Sequence, residues 1–200
     1  LLAITLHEAA HGYVARHFGD PTAYLAGRIS LNPLRHVDPI GTILVPGAIL
    51  IASKLIGGSA MLFGWAKPVP VDFTRLRNPK RDMLWVAAAG PFANLLMAVG
   101  WAALLKFASM TPEKLYTVPM VKMALAGIEI NAVLMLPIPP LDGGRIAVSL
   151  LPHRMAWQFS RLEPYGLAIL LVLLFTDILG VILWPLMVGF RHLLSVIFQF

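Results

Sequence analysis

The chain contains no cysteine in 200 residues, so neither a disulfide nor a thiolate metal ligand is available to it. It is also poor in charge: Asp, Glu, Lys and Arg make up 13% of the residues, about half the share of a soluble domain, while apolar residues make up 58%. With a mean hydropathy of +0.76, this balance excludes an ordinary soluble domain and points to a membrane protein. Acidic residues are the scarcer sign, 10 against 16 Lys and Arg, for a net charge of +6. No basic stripe runs along a soluble helix or among stacking aromatics, which excludes nucleic acid as a partner; in a membrane chain, excess Lys and Arg marks cytoplasmic loops. Internal repeats, low-complexity tracts and long linkers are absent, so the expectation is a single domain over residues 1–200. No signal peptide is expected, because the opening apolar run has no basic flank or small-residue cleavage site. Only six residues precede His7, so the first helix is expected to be cut short.

What is present is a series of apolar segments long enough to cross a bilayer, which takes about 20 helical residues. The sequence predicts an all-α membrane protein: a polytopic transmembrane helix bundle with a small membrane-associated β-element. Core helices are expected over residues 1–18, 82–107 and 120–136, and C-terminal helices within 164–198, split near Asp177 and Gly180. Gly19, Asp20 and Pro21 stop the first helix. Residues 22–33 read as a short strand and 65–73 as a second extended segment. Residues 39–63 are apolar between two basic flanks and are read as a re-entrant hairpin. Pro91 should kink the 82–107 helix, and Gly90 permits close packing there. The 120–136 helix runs back toward the cytoplasmic side and ends at the prolines and glycines of LPIPPLDGGR, which brings Asp142 to the depth of His11.

The chemistry is concentrated in HEAAH, residues 7–11. His7 and His11 lie one helical turn apart on nearly the same face, and two imidazoles so placed can take two corners of a zinc tetrahedron. Glu8 beside them can act as general base toward water. Chance would produce the motif in this composition with a probability of roughly 0.004. A catalytic zinc needs a third protein ligand and one open position. His17 is ten residues after His7 and falls some 80° around the helix from it, with Val14 where an extended zinc motif needs a glycine, so it reads as a helix-end polar residue. Asp142 is the better third ligand, because a carboxylate in an apolar setting is costly and this one stands where a helix is stopped. The other reading of Asp142 is an ordinary helix-end residue in a turn.

HEAAH in the first helix, AGPFAN in the second and LPIPPLDGGR ending the third resemble, in this order, the site-2 protease family of intramembrane zinc metalloproteases. GRISLNPLRHVDPIG and FGWAKPVPV look like its compact bacterial branch without a separate PDZ domain. The resemblance implies that His7, His11 and Asp142 bind one zinc ion, that Glu8 is the catalytic acid and base, and that substrates are transmembrane segments of other proteins. It implies a bacterial cell membrane as the location, with the site toward the cytoplasm. One departure stands out: the family has an Asn eight residues before the ligand Asp, and here that position is Leu134. Asn131 or Asn94 would have to supply any substrate-positioning amide, with an interhelical hydrogen bond the plainer role for Asn94. His36 and Asp38 read as a loop-capping pair more readily than as a support for the ligands.

The expected function is therefore a zinc-dependent intramembrane endopeptidase, with the lipid bilayer and a transmembrane protein substrate as partners. The expected segments 22–33 and 65–73 would hold the unwound substrate by strand addition. A catalytically silent module that binds transmembrane substrates would not need Glu8. A metal transporter would line a path through the bilayer with further polar residues, and here the ionisable groups stop at one depth.

Overall fold

The structure is a computed structural model, and it describes residues 2–56, 64–109, 123, 141–176 and 178–198. Among these residues the protein is mostly helical and contains no strand. Helix α1 spans Leu2–His17 and is stopped as its sequence requires: Gly19 adopts a φ of 108°, and the Asp20 N–H turns back to the Ala15 carbonyl at 3.0 Å. Asp20, fully buried, then organises the exit. Its carboxylate accepts from the Thr22 N–H at 2.9 Å, from the Thr22 hydroxyl and, across 52 residues, from the Asp72 N–H at 2.7 Å.

This capping explains why residues 22–33 form no strand. Asp20 and Pro21 start a helical turn, α2 (Thr22–Leu25), Gly27 ends it at a φ of 63°, and Asn32 caps a 3-10 turn at Pro33–Arg35. Local hydrogen bonding from Asp and Asn overrides the β-branched and aromatic content of the segment. Residues 65–72 also lack a strand partner, because their N–H groups are taken one at a time: Trp65 donates to the Gly41 carbonyl, Lys67 to the His36 carbonyl, and Val69 to the Glu8 carboxylate. The Asp72 carboxyl is held below the usual carboxylate range, chiefly by the hydroxyl and amide of Thr74.

Asp38 accepts from the Ile40 and Gly41 N–H groups and so caps a π-helical turn, Pro39–Leu44, that runs directly into α3 (Val45–Ile56). Pro46 has no N–H to continue the helical ladder, and the Gly41 carbonyl five residues before it accepts from the Trp65 N–H at 3.0 Å instead, so the chain stays helical through Pro46. The rest of the expected hairpin, 57–63, lies outside the described residues.

Helix α4 (Pro79–Ser109) has 31 residues, about 46 Å of helix against a hydrocarbon core of about 30 Å. It begins well capped: Pro79 occupies the first turn, and the buried Asp82 carboxylate reaches back to the Asn78 N–H at 2.7 Å. Its first 26 residues, Pro79–Leu104, are long and apolar enough to cross a bilayer, as is the C-terminal helix α8 (Ile178–Phe198). Between them lie α5 (Asp142–Leu150), α6 (His153–Ser160) and α7 (Gly166–Phe175). The expected helix at 120–136, with Asn131 and Leu134, lies outside the described residues except for Met123.

The most extensive packing is between α1 and α4, and the next is between α4 and α5. Ala15, Leu76 and Val86 form one core with Phe18, Val71, Phe73 and Met83 around it. Ala98 and Ala102 of α4 receive Leu194 of α8. The Lys80 ammonium donates to the Leu151 carbonyl at 2.6 Å, tying the start of α4 to the end of α5. Helix α4 is thus the element that both α1 and α5 lean on.

Candidate metal centre

His7 and His11 face α4 from the buried side of α1, their rings edge to face with centroids 4.7 Å apart and their Nε2 atoms 3.0 Å apart. Asp142 meets them from 135 residues away, at the first residue of α5. Its Oδ2 lies 2.8 Å from His7 Nε2 and its Oδ1 3.3 Å from His11 Nε2. All three side chains are buried, and one ligand atom from each lies within 4.8 Å of the others. Two imidazoles and one carboxylate in a buried cluster form the donor set of a catalytic zinc site, which leaves the fourth corner for water or substrate. Ligand atoms about 2.0–2.1 Å from a tetrahedral zinc stand roughly 3.4 Å from one another, so these spacings need only a small outward adjustment to fit the ion.

Two features of α4 make room for the cluster and orient it. Gly90 lies against the imidazoles: a Cβ there would fall 2.4 Å from His11 Nε2 and 2.5 Å from His7 Nε2, inside the space where the ligands converge. One turn earlier, the Val86 carbonyl accepts a hydrogen bond from His11 Nδ1 at 2.6 Å; one turn later, the Asn94 amide lies 3.1 Å from His7 Nδ1. Pro91, inside this stretch, has no N–H for the Ala87 carbonyl and so loosens the helix at the level of the site.

Glu8 reaches the same cavity of about 140 Å³, which His7, His11 and Asp142 line on one side and Pro68, Val69 and Phe73 on the other. Its Oε2 accepts from the Val69 N–H at 2.7 Å, which fixes the carboxylate while leaving a second oxygen for a proton. Arg145, one turn beyond Asp142, also lines the cavity, with its guanidinium 5.6 Å from the centre of the Phe73 ring.

His7, Glu8, His11 and Asp142 are therefore brought together around one cavity. Asn94 is fully buried behind His7, where it makes an interhelical contact rather than lining the cavity. Asn131 lies outside the described residues. His17, the last residue of α1, meets Phe18 edge to face with ring centroids 5.2 Å apart and is not part of the cluster. His36 contacts the Ser30 carbonyl at 2.8 Å and Asp38 caps its own turn, which are loop-holding roles. The contributions of the Val86 carbonyl, the Val69 N–H and Arg145 were not anticipated. The first two are backbone groups, invisible to residue-type reasoning, although positions 86, 90 and 94 at one-turn intervals around a Gly-Pro pair mark one special face of α4.

Three relatives resemble the chain along most of its length. A Bacillus subtilis protein named "Putative zinc metalloprotease YwhC" is 37% identical over 210 residues, covering 100% of this chain and 90% of the relative. A Mycobacterium tuberculosis protein named "Putative zinc metalloprotease Rip2" is 31% identical over 195 residues, covering 92% of this chain and 70% of the relative. Its namesake from Mycolicibacterium smegmatis is 30% identical over 186 residues, covering 90% of this chain and 66% of the relative. No protein-family model matches the chain, and no solved structure matches it.

Proposed function

The chain belongs to the zinc metalloprotease family of these relatives, and on that premise we propose that it is a site-2-protease-like intramembrane endopeptidase that cuts transmembrane segments of other proteins. The cofactor is one zinc ion, for which His7, His11 and Asp142 are the candidate ligands. The observation that carries the intramembrane reading is the place of this cluster: it is built against Val86, Gly90 and Asn94, well inside the part of α4 that is long and apolar enough to cross a bilayer.

When bound, zinc would supply a Lewis acid that polarises the scissile carbonyl and lowers the pKa of a water to about 7. The chain's own residues do the rest. Glu8 takes a proton from water on the oxygen that Val69 leaves free and passes it to the leaving amine. The Val69 N–H holds the carboxylate in place between these two transfers. Asp142 neutralises part of the charge in a buried pocket, where an uncompensated cation would be costly. A helical substrate must unwind to expose its peptide bond, and the irregular segment 65–72 along the cavity offers backbone groups to an unwound chain. The exposed Arg16, Arg35, Lys67, Arg75, Arg77 and Arg81 agree with a cytoplasmic-facing mouth.

The test uses purified protein in proteoliposomes with a transmembrane substrate, comparing wild type with Glu8→Ala for zinc content and for cleavage. The expected outcome is unchanged zinc and a rate lower by about 100- to 10,000-fold, with the cut mapped by mass spectrometry inside the hydrophobic segment. Equal cleavage by both proteins would remove Glu8 from the mechanism, and a cut confined to extramembrane loops would overturn the intramembrane assignment.

A further inference from the structure

Each imidazole of the cluster has a second nitrogen, and α4 treats the two second nitrogens differently. His11 Nδ1 lies 2.6 Å from the Val86 carbonyl oxygen. A carbonyl only accepts, so Nδ1 of His11 carries the proton and Nε2 turns its lone pair to the cluster. His7 Nδ1 lies 3.1 Å from Asn94 Nδ2. An amide nitrogen only donates, so Nδ1 of His7 is the bare nitrogen, and the proton is on Nε2, which donates to Asp142 Oδ2 at 2.8 Å. His11 is held in the tautomer that ligates through Nε2; the tautomer of His7 follows whichever end of the Asn94 amide faces it, and with Nδ2 toward the ring it is the other one.

Asn94 holds the means of exchanging them. Its side chain is fully buried, and its Oδ1 has no hydrogen-bond partner among the described residues. A half-turn of the amide swaps its two ends with almost no change of shape. Oδ1 then accepts from His7 Nδ1–H, and the lone pair on His7 Nε2 is free for a metal.

We propose that Asn94 is a positioning residue for the zinc site, its amide selecting the tautomer of His7. It accepts from Nδ1–H when Nε2 binds the metal and donates to Nδ1 when Nε2 carries the proton. An amide serves both states because it has a donor and an acceptor on one planar group; a carboxylate serves only the metal-binding state, and an aliphatic side chain serves neither. The inference rests on the reading of His7, His11 and Asp142 as zinc ligands. It also moves Asn94 from the substrate side of the site to the far side of a ligand.

The experiment measures the zinc dissociation constant by chelator competition for detergent-solubilised wild type, Asn94→Asp and Asn94→Leu, together with the visible absorption of the cobalt(II)-loaded proteins. Thermal unfolding in excess chelator separates fold from metal. The expected result is a Leu variant that binds zinc about 10- to 100-fold more weakly, with an altered cobalt spectrum, and whose metal-free form still unfolds in one cooperative transition. The Asp variant, which keeps an acceptor opposite Nδ1, binds zinc no more weakly than wild type. Should the Leu variant fail to fold, Asn94→Ala takes its place with the same expectation. A Leu or Ala variant that binds zinc as wild type does, or an Asp variant weakened as much as they are, would overturn the proposal. A wild type that binds no zinc would instead overturn the ligand assignment itself.

Discussion

The contact between α1 and α4 and the outer surface of α8 are both made by helices of mostly apolar sequence, and they use it in opposite ways. In the α1–α4 contact the residues are small: Ala9, Ala15 and Ala87 are buried, and Gly90 lets imidazole rings occupy the space of a side chain. The helices approach closely, and the polar groups caught between them are answered by protein, His11 by Val86 and His7 by Asn94 and Asp142. On α8 the residues are large and face outward: Val181, Trp184, Leu186 and Val196 are exposed. Small residues turned inward make a site, whereas large ones turned outward need a surrounding that is itself apolar. The first region gathers the ligand-type side chains, and the second presents an apolar surface on a helix long enough to cross a bilayer.

The largest effect on the metal centre is expected from filling the gap in the first region. Gly90→Val would put carbon into the space shared by His7 Nε2 and His11 Nε2, and both rings are already held from behind by α4 and by Asp142. Overpacking of this kind costs up to about 3 kcal/mol, which taken from metal binding alone is a loss of roughly 100-fold in zinc affinity. Metal analysis after dialysis against a weak chelator checks it. A variant that keeps its zinc would show that the rings can move aside, and the contrast between a rigid site and a plain apolar surface would fail.

Much of this division was legible in the sequence. The HEAAH spacing places two imidazoles and a carboxylate on one helix by geometry alone, and the prolines and glycines around Asp142 mark a stopped helix where a charge would otherwise be expensive. The expectation of mostly helical structure rested on apolar runs, which read clearly because of their length. The strand expected at 22–33 gives way to helical turns, and the extended segment expected at 65–73 pairs with no strand among the described residues. Composition favoured β-structure, but at 22–33 Asp20 and Asn32 offered the backbone local acceptors, which compete well against a neighbouring strand that must be brought from elsewhere, and at 65–73 the distant Glu8 of α1 took the Val69 N–H. The role of Asn94 was hidden for another reason. Its type indicates a hydrogen bond, but which partner it finds depends on the register of α1 against α4, and the Gly90 gap that sets this register reads in the sequence only as a place of close packing.

The second region is tested by placing a charge in it. Val188 lies in the middle of α8 and is 44% exposed. If lipid covers it, Val188→Lys should lower membrane insertion of α8 by about 2.5 to 3.5 kcal/mol, read as the inserted fraction in a glycosylation-mapping assay. If water covers it, the same substitution should be neutral to within about 0.5 kcal/mol, as surface changes usually are. The second outcome would remove α8 from the membrane and leave α4 as the one candidate span of that length among the described residues.

The smallest effect is expected where the first region borders the loop that closes its cavity. Asp20 is fully buried and accepts from Thr22 and Asp72, so it joins the end of α1 to the segment that carries Val69 to Glu8. Asp20→Ala leaves those N–H groups without their acceptor at a cost of about 1–3 kcal/mol, seen as a lower melting temperature. Asp20→Asn keeps an acceptor oxygen at nearly the same shape and should lose less. The useful readout is local: hydrogen exchange at the Val69 amide should speed up in the Ala variant, because that amide's bond to Glu8 depends on a loop held by the Asp72 N–H. Exchange at the amides of α4 around Gly90 should stay as slow as in wild type, since the α1–α4 contact does not pass through Asp20. If both sites sped up together, the cavity loop and the ligand-bearing helices would be one cooperative unit, and Glu8 would be held by the same packing that holds the two imidazoles.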